Sequence, residues 1–147
     1  GKGEMKDWRN EMQVLPIGKG KKLRDGDDIA VLSIGPIGNE VIKAIEMVKE
    51  ERVSIAHYDM IYLKPLDEEL LHEIGQKYNR IITVENGVIK GGFGSAVLEF
   101  MADNGYTPHV KRIGVPDAFI EHGSIPELYQ LCGMDAESIA KQLKKEN

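Results

Sequence analysis

Short apolar runs rich in β-branched residues recur along this chain at 29–34, 53–58, 81–84 and 109–113, and segments with helical spacing lie between them. A chain that alternates strand and helix through short connections has few ways to bury both. The helices must cross between parallel strands and cover the two faces of one sheet. The expected fold is therefore α/β, a three-layer α/β/α sandwich around a mainly parallel sheet. One helix sets Val41, Ile42, Ile45 and Val48 on a single face, with Asn39 placed to cap it. A second starts at Asp67 and carries Leu70, Leu71 and Ile74. A third is expected over 95–101, and two short helices, over 126–131 and 136–143, close the chain.

Ahead of the first apolar run stands a lysine-rich segment, residues 18–24, followed by Asp25-Gly26. That spacing predicts a hairpin, hence an antiparallel first strand, and lysine is what an exposed sheet edge prefers. With 147 residues the chain suits one domain that buries roughly 68–70% of its unfolded surface. The expected division is a linker from a preceding domain over 1–17 and the domain itself over 18–147. A net charge of −5 with both signs interspersed argues against nucleic acid or a membrane surface as partner. The single Cys132 excludes an internal disulfide and, with no thiol or histidine cluster beside it, an ordinary zinc site. Nowhere do 18 apolar residues run together, and the first residues hold no signal-peptide core, so a soluble cytoplasmic protein is expected. Gly1 in place of methionine reads as the start of a piece cut from something longer.

The segment TVENGVIKGGFGSAV, residues 83–97, runs from a strand through Glu85 into Gly91, Gly92 and Gly94 and on to a helical pattern. It approaches a phosphate-binding turn without reaching one. The dinucleotide fingerprint needs a third glycine where Val97 stands, and no Gly-Lys-Ser/Thr ends the cluster as a P-loop requires. The glycines are read as allowing close backbone approach, with an anion at the helix N-terminus as the alternative. Glu85 is read as a carboxylate accepting loop N–H groups near that N-terminus, with general base as the alternative. His57 and His109 fall in strands and His72 on a helix, places where histidine is ordinarily satisfied or solvated. His122, in His-Gly-Ser before a helix start, is read as a capping or loop-holding group, with proton transfer as the alternative, and Asp59 and Asp117 as turn or cap residues. No Ser-His-Asp order and no metal-ligand spacing appears, so no catalytic, cofactor-binding or metal residue is assigned. The motif candidates are Glu85, Gly91, Gly92, Gly94, Asp117, His122 and Gly123.

Four segments in order carry a resemblance: residues 59–67 ending LKPLD, the TVENGVIKGGFGSAV segment, GVPDAFIEHG over 114–123, and LYQLCGMDAESI over 128–139. Together they resemble the C-terminal domain of transketolase-like thiamine diphosphate enzymes, and within that superfamily the 1-deoxy-D-xylulose-5-phosphate synthases. The resemblance covers nearly all of the chain from Gly18 onward. His122 stands where transketolases have serine in Phe-x-x-Ser-Gly, which favours the synthases. The β subunits of 2-oxo acid dehydrogenases, whose C-terminal domain docks a partner core, are the alternative, and a free-standing anion sensor is a third reading. The chain departs from the synthase pattern at Asn86, where a second glutamate is usual, and in DMIYL, where a more basic segment is common.

The resemblance implies a five-stranded mixed sheet whose first strand is antiparallel to the rest. It also implies a parent enzyme that decarboxylates pyruvate and joins the two-carbon remnant to glyceraldehyde 3-phosphate, using thiamine diphosphate and magnesium, to feed isoprenoid, thiamine and pyridoxal synthesis. The family's Gly-Asp-Gly and aminopyrimidine-activating glutamate belong to its first two domains. The only similar string here, Gly26-Asp27-Asp28, lacks that context. In the family a Tyr-Pro-Arg-Gly segment closes the second domain, and Gly1 is expected to be its remnant. The chain is thus expected to be a third domain, without cofactor or catalysis of its own, packed against preceding domains of the same chain and supporting a homodimer.

Overall fold

The computed structural model describes residues 17–89, 91–116 and 125–144. Asp117, His122 and Gly123 lie outside them, as does nearly all of the expected linker. The five strands are β1 (Lys21–Arg24), β2 (Ile29–Ile34), β3 (Ile55–Asp59), β4 (Arg80–Val88) and β5 (His109–Val115). The helices are α1 (Gly38–Met47), α2 (Glu68–Lys77), α3 (Phe93–Asp103), α4 (Ile125–Leu131) and α5 (Ala136–Gln142). They build one sheet in the order β1-β3-β2-β4-β5, with β1 antiparallel to β3 and every other pairing parallel.

Period-two alternation along the central strands divides the core in two. Ile29 and Val31 of β2, Ile55 of β3, Ile82 and Val84 of β4 and Ile113 of β5 pack under α1 and α5. Ala30, Leu32, Ala56, Tyr58 and Ile81 face the other way, against α2 and α3. Both faces of β2 are buried, as a central parallel strand requires.

The first strand is antiparallel, but the hairpin expected between β1 and β2 does not form. β1 pairs with β3, Lys21 opposite Asp59 and Arg24 opposite His57, with a bulge between Lys22 and Arg24. The reason lies in the loop. Asp28 exchanges N–H bonds with Ser54, donating to its carbonyl at 2.8 Å and accepting from its N–H at 2.7 Å. The Asp27 N–H reaches Ser54 Oγ at 2.9 Å. Gly26 lies against the backbone at the start of β3, so close that a Cβ there would stand 2.2 Å from the Ile55 carbonyl carbon. The loop is therefore stitched across the end of β3, which places β2 on the far side of it.

The helix starts carry two further corrections. α1 begins at Gly38, and the Asn39 side chain does not cap it. Gly35, held at φ +86°, and Pro36 turn their carbonyls to the N–H groups of Gly38 and Asn39 at 3.1 and 3.0 Å. Ile42, expected on the buried face, is 52% exposed, and Ala44 is buried instead. α3 begins at Phe93, two residues before the expected start. At α2 the expected cap is present: one Asp67 oxygen accepts from the Leu70 N–H at 3.1 Å, and the other accepts from the Gly20 N–H at 2.9 Å. That single buried carboxylate starts a helix and anchors the approach to β1.

Gly26→Ala forces a methyl group into backbone that cannot move without parting β3. It is expected to destabilise the chain by about 3 kcal/mol, the upper end of ordinary overpacking. The midpoint of urea unfolding measures it; an unchanged midpoint contradicts the stitched-loop account.

Candidate functional site

In open α/β sheets the crevice outside the carboxyl ends of the strands, where strand order reverses, is the usual place for ligands. Here it lies between β2 and β4. From β2 the chain moves outward to β3, and from β4 it moves the opposite way to β5. A crevice of about 340 Å³ opens there, lined by Ile34, Gly35, Pro36, Leu63, Asn86 and Phe93 among others.

Two consecutive residues at the tip of β4 organise it. Alternation sends their side chains to opposite faces of the sheet. Glu85, 4% exposed, points towards α3, where its two oxygens accept the N–H groups of Phe93 at 2.9 Å and Gly94 at 2.8 Å. Asn86 points towards α1, where Oδ1 accepts the Ile37 N–H at 3.1 Å. Its Nδ2 donates to the Tyr129 hydroxyl on α4. Both helix starts bordering the crevice are thus bonded by the chain's own side chains.

Burial pushes the Glu85 carboxyl above its ordinary range, against the pull of the Gly94 and Phe93 N–H groups and the Arg112 guanidinium. Both oxygens are engaged, and no described histidine, thiol or hydroxyl shares a hydrogen bond with it. Among the described residues, neither a base nor a nucleophile is assembled around Glu85. The glycines differ in what they do. Gly94 packs so tightly that a Cβ would stand 2.6 Å from Thr83 Oγ1 and 3.0 Å from Arg112 Cγ. Gly91 meets nothing within 4 Å and is there for its φ of +74°. Gly92 is the last residue before α3, in extended conformation.

The other polar candidates among the described residues stand apart from this crevice. His57, 1% exposed, shares a 2.8 Å hydrogen bond between Nε2 and Ser33 Oγ. Burial lowers its pKa to about 4, with the Asp59 charge pulling weakly the other way. His72 Nδ1 meets the Tyr106 hydroxyl at 2.7 Å, and His109 is exposed on β5. Asp59 makes the expected turn, its Oδ1 accepting the Ile61 N–H at 3.1 Å while Ile61 sits at φ +63°. Sequence reasoning missed Asn86 as a bracing residue, and it missed Gly114, where a Cβ would stand 2.9 Å from Glu85 Cγ and 3.0 Å from the Gly87 carbonyl oxygen. Gly114 was in view as the first residue of the GVPDAFIEHG segment, but nothing local ties it to Glu85.

A diphosphate with its magnesium ion does not fit these residues. The N–H groups that would greet an anion at α3 already serve a carboxylate, which would repel one. Among the described residues no three of His, Cys, Asp and Glu gather as a metal would require.

The sequence model for "Transketolase, C-terminal domain" matches residues 18–139. The chain is 58% identical over 146 residues to the 1-deoxy-D-xylulose-5-phosphate synthase of Bacteroides fragilis, covering 99% of this chain and 22% of that protein. It is 42% identical over 135 residues to the synthase of Geobacillus thermodenitrificans, covering 91% and 21%. It spans about a fifth of the length of these curated relatives. Among solved structures, a split gene transketolase described as an inactive β4 tetramer aligns with a TM-score of 0.77 at 30% identity, over 89% of this chain and 45% of the other. The transketolase of Campylobacter jejuni aligns at 0.62 and 12% identity, over 85% and 18%, and shows likeness of fold alone.

Two outcomes are expected of this site. Glu85→Gln turns an NH2 group towards one of the two buried N–H donors and costs about 1–3 kcal/mol. Gly94→Val costs a similar amount by overpacking. Added phosphate at constant ionic strength restores neither in urea unfolding, whereas an anion site would stabilise the wild type alone. The second outcome concerns His57. Its folded-state pKa lies below the ordinary 6.5, so the native state resists the proton that the unfolded chain accepts. Stability is then full above pH 6.5 and falls as pH drops towards 4, by up to about 3 kcal/mol. In His57→Gln the fall in that window should be smaller; an identical pH profile contradicts the assignment.

Proposed function

Because this chain belongs to the transketolase C-terminal domain family, we propose that it works as the supporting third domain of a 1-deoxy-D-xylulose-5-phosphate synthase. In that reading the whole protein condenses pyruvate with glyceraldehyde 3-phosphate and releases carbon dioxide. Thiamine diphosphate and magnesium supply the carbanion chemistry on the preceding domains, and the product serves isoprenoid and thiamine synthesis in the cytoplasm. This domain packs against those preceding domains and supports a homodimer. The observation that carries the reading is the pair at the tip of β4, set within a match of 58% identity over 99% of the chain. A crevice whose two flanking helices are bonded by Glu85 and Asn86 is built to hold its shape. The candidates Gly91, Gly92 and Gly94 serve that shape, and no proton donor or nucleophile in the described residues stands ready for chemistry.

The test compares the full-length synthase with a version lacking residues 18–147, and with this chain alone. The full-length protein should form 1-deoxy-D-xylulose-5-phosphate as a dimer, and the truncated one should lose activity together with assembly. Calorimetric titration of thiamine diphosphate and magnesium into the isolated chain should give no binding heat. Submillimolar cofactor binding by this chain alone would overturn the supporting role, and full activity of the truncated protein would do so as well.

A further inference from the structure

On the α1 side of the sheet, away from the crevice, a second cavity of about 800 Å³ lies between β1 and α1. Leu23, Ile42, Ile45 and Met47 line it, with His57 part of its lining. Leu23, Ile42 and Met47 are 44%, 52% and 53% exposed, so three of the large apolar side chains left exposed border one concavity. Its size falls within the range of small-molecule sites, roughly 300–1,000 Å³.

Of the described charged residues besides Arg24 that line it, Lys43 bonds Glu40 at 3.5 Å and Glu46 is held by Lys49 at 2.7 Å. Arg24, which lines the cavity, makes no hydrogen bond or ion pair among the described residues. It feels Glu46 only through space, and that carboxylate already has its lysine. The bulge between Lys22 and Arg24 sets this residue opposite His57 on β3, and bulges commonly re-aim a side chain next to a binding site. His57 contributes no charge, since burial keeps its imidazole neutral at physiological pH.

From one guanidinium that has no partner among the described residues and stands at the wall of an apolar cavity, we propose that this groove binds a small amphipathic carboxylate, its headgroup on Arg24 and its apolar body against Leu23, Ile42 and Met47. A carboxylate matches the planar fork of a guanidinium through two parallel hydrogen bonds, and an ammonium headgroup would meet repulsion there. The apolar body is required because Arg24 alone, at an open surface, holds an anion weakly.

The experiment titrates the full chain with octanoate, octanol and octylammonium and follows backbone amide shifts by NMR. Octanoate is expected to give saturable shifts centred on Leu23, Arg24, Ile42 and Met47, and to bind more tightly than octanol, with octylammonium weakest. Arg24→Gln, an exposed change that leaves the core intact, should weaken octanoate about tenfold and leave octanol unaltered. Ile42→Ser should weaken octanoate and octanol alike. The proposal is overturned if octanoate shifts do not saturate or map elsewhere, if octylammonium binds as tightly, or if Arg24→Gln leaves octanoate affinity unchanged.

Discussion

The structure turns on what the tip of β4 does with two neighbouring side chains. A strand presents consecutive residues to opposite faces, and β4 lies next to the centre of the sheet with helices on both sides. Glu85 therefore reaches the start of α3 on one face, and Asn86 reaches the start of α1 on the other. A helix start buried in a sheet crevice leaves N–H groups that must find acceptors, and here both find them on the same strand. The crevice geometry follows from that one tip. Through Asn86 and Tyr129 it extends to α4, the element that follows residues 117–124.

Carboxylate and amide are suited to different ends of this brace. Glu85 is buried and takes two N–H groups, one per oxygen, so a group with only acceptors fits. Asn86 is exposed and must accept from a backbone N–H while donating to a hydroxyl, a task for an amide. Burial raises the Glu85 pKa, while its two N–H bonds and the Arg112 charge pull the other way. What is gained is position: Gly94 is held so near β4 that no side chain fits there.

Much of this was legible in sequence, and what was not shares a cause. Strand and helix order, the parallel sheet, the Asp67 cap and the Glu85 contact with loop N–H groups are all decided by short-range pattern: apolar periodicity, or a carboxylate a few residues from exposed N–H groups. The pairing of β1 was not legible, because Asp25-Gly26 looks the same whether the chain turns back on itself or crosses the end of a strand. The difference is made by Ser54 and Ile55, nearly thirty residues away. Asn39 failed as a cap for a similar reason, since the Gly35-Pro36 turn and the distant Asn86 had already supplied the acceptors. Ile42 was misplaced because α1 buries Val41, Ala44 and Ile45 against the sheet, leaving Ile42 to the groove beside β1.

That groove and the crevice show how one sheet allots two kinds of surface. At the carboxyl ends of the parallel strands, where α/β folds usually leave N–H groups facing a ligand, this chain has answered them internally. A partner meeting that end finds, among the described residues, both helix starts already bonded by Glu85 and Asn86. Beside β1 the conditions are reversed. An antiparallel edge strand of four residues, all exposed, is too short to cover α1, and Arg24, just after the bulge within it, lines the opening with no acidic partner among the described residues. The short, basic edge is also what keeps β1 from templating another strand. The feature that protects the sheet edge therefore leaves an apolar concavity next to it, with Arg24 at its wall.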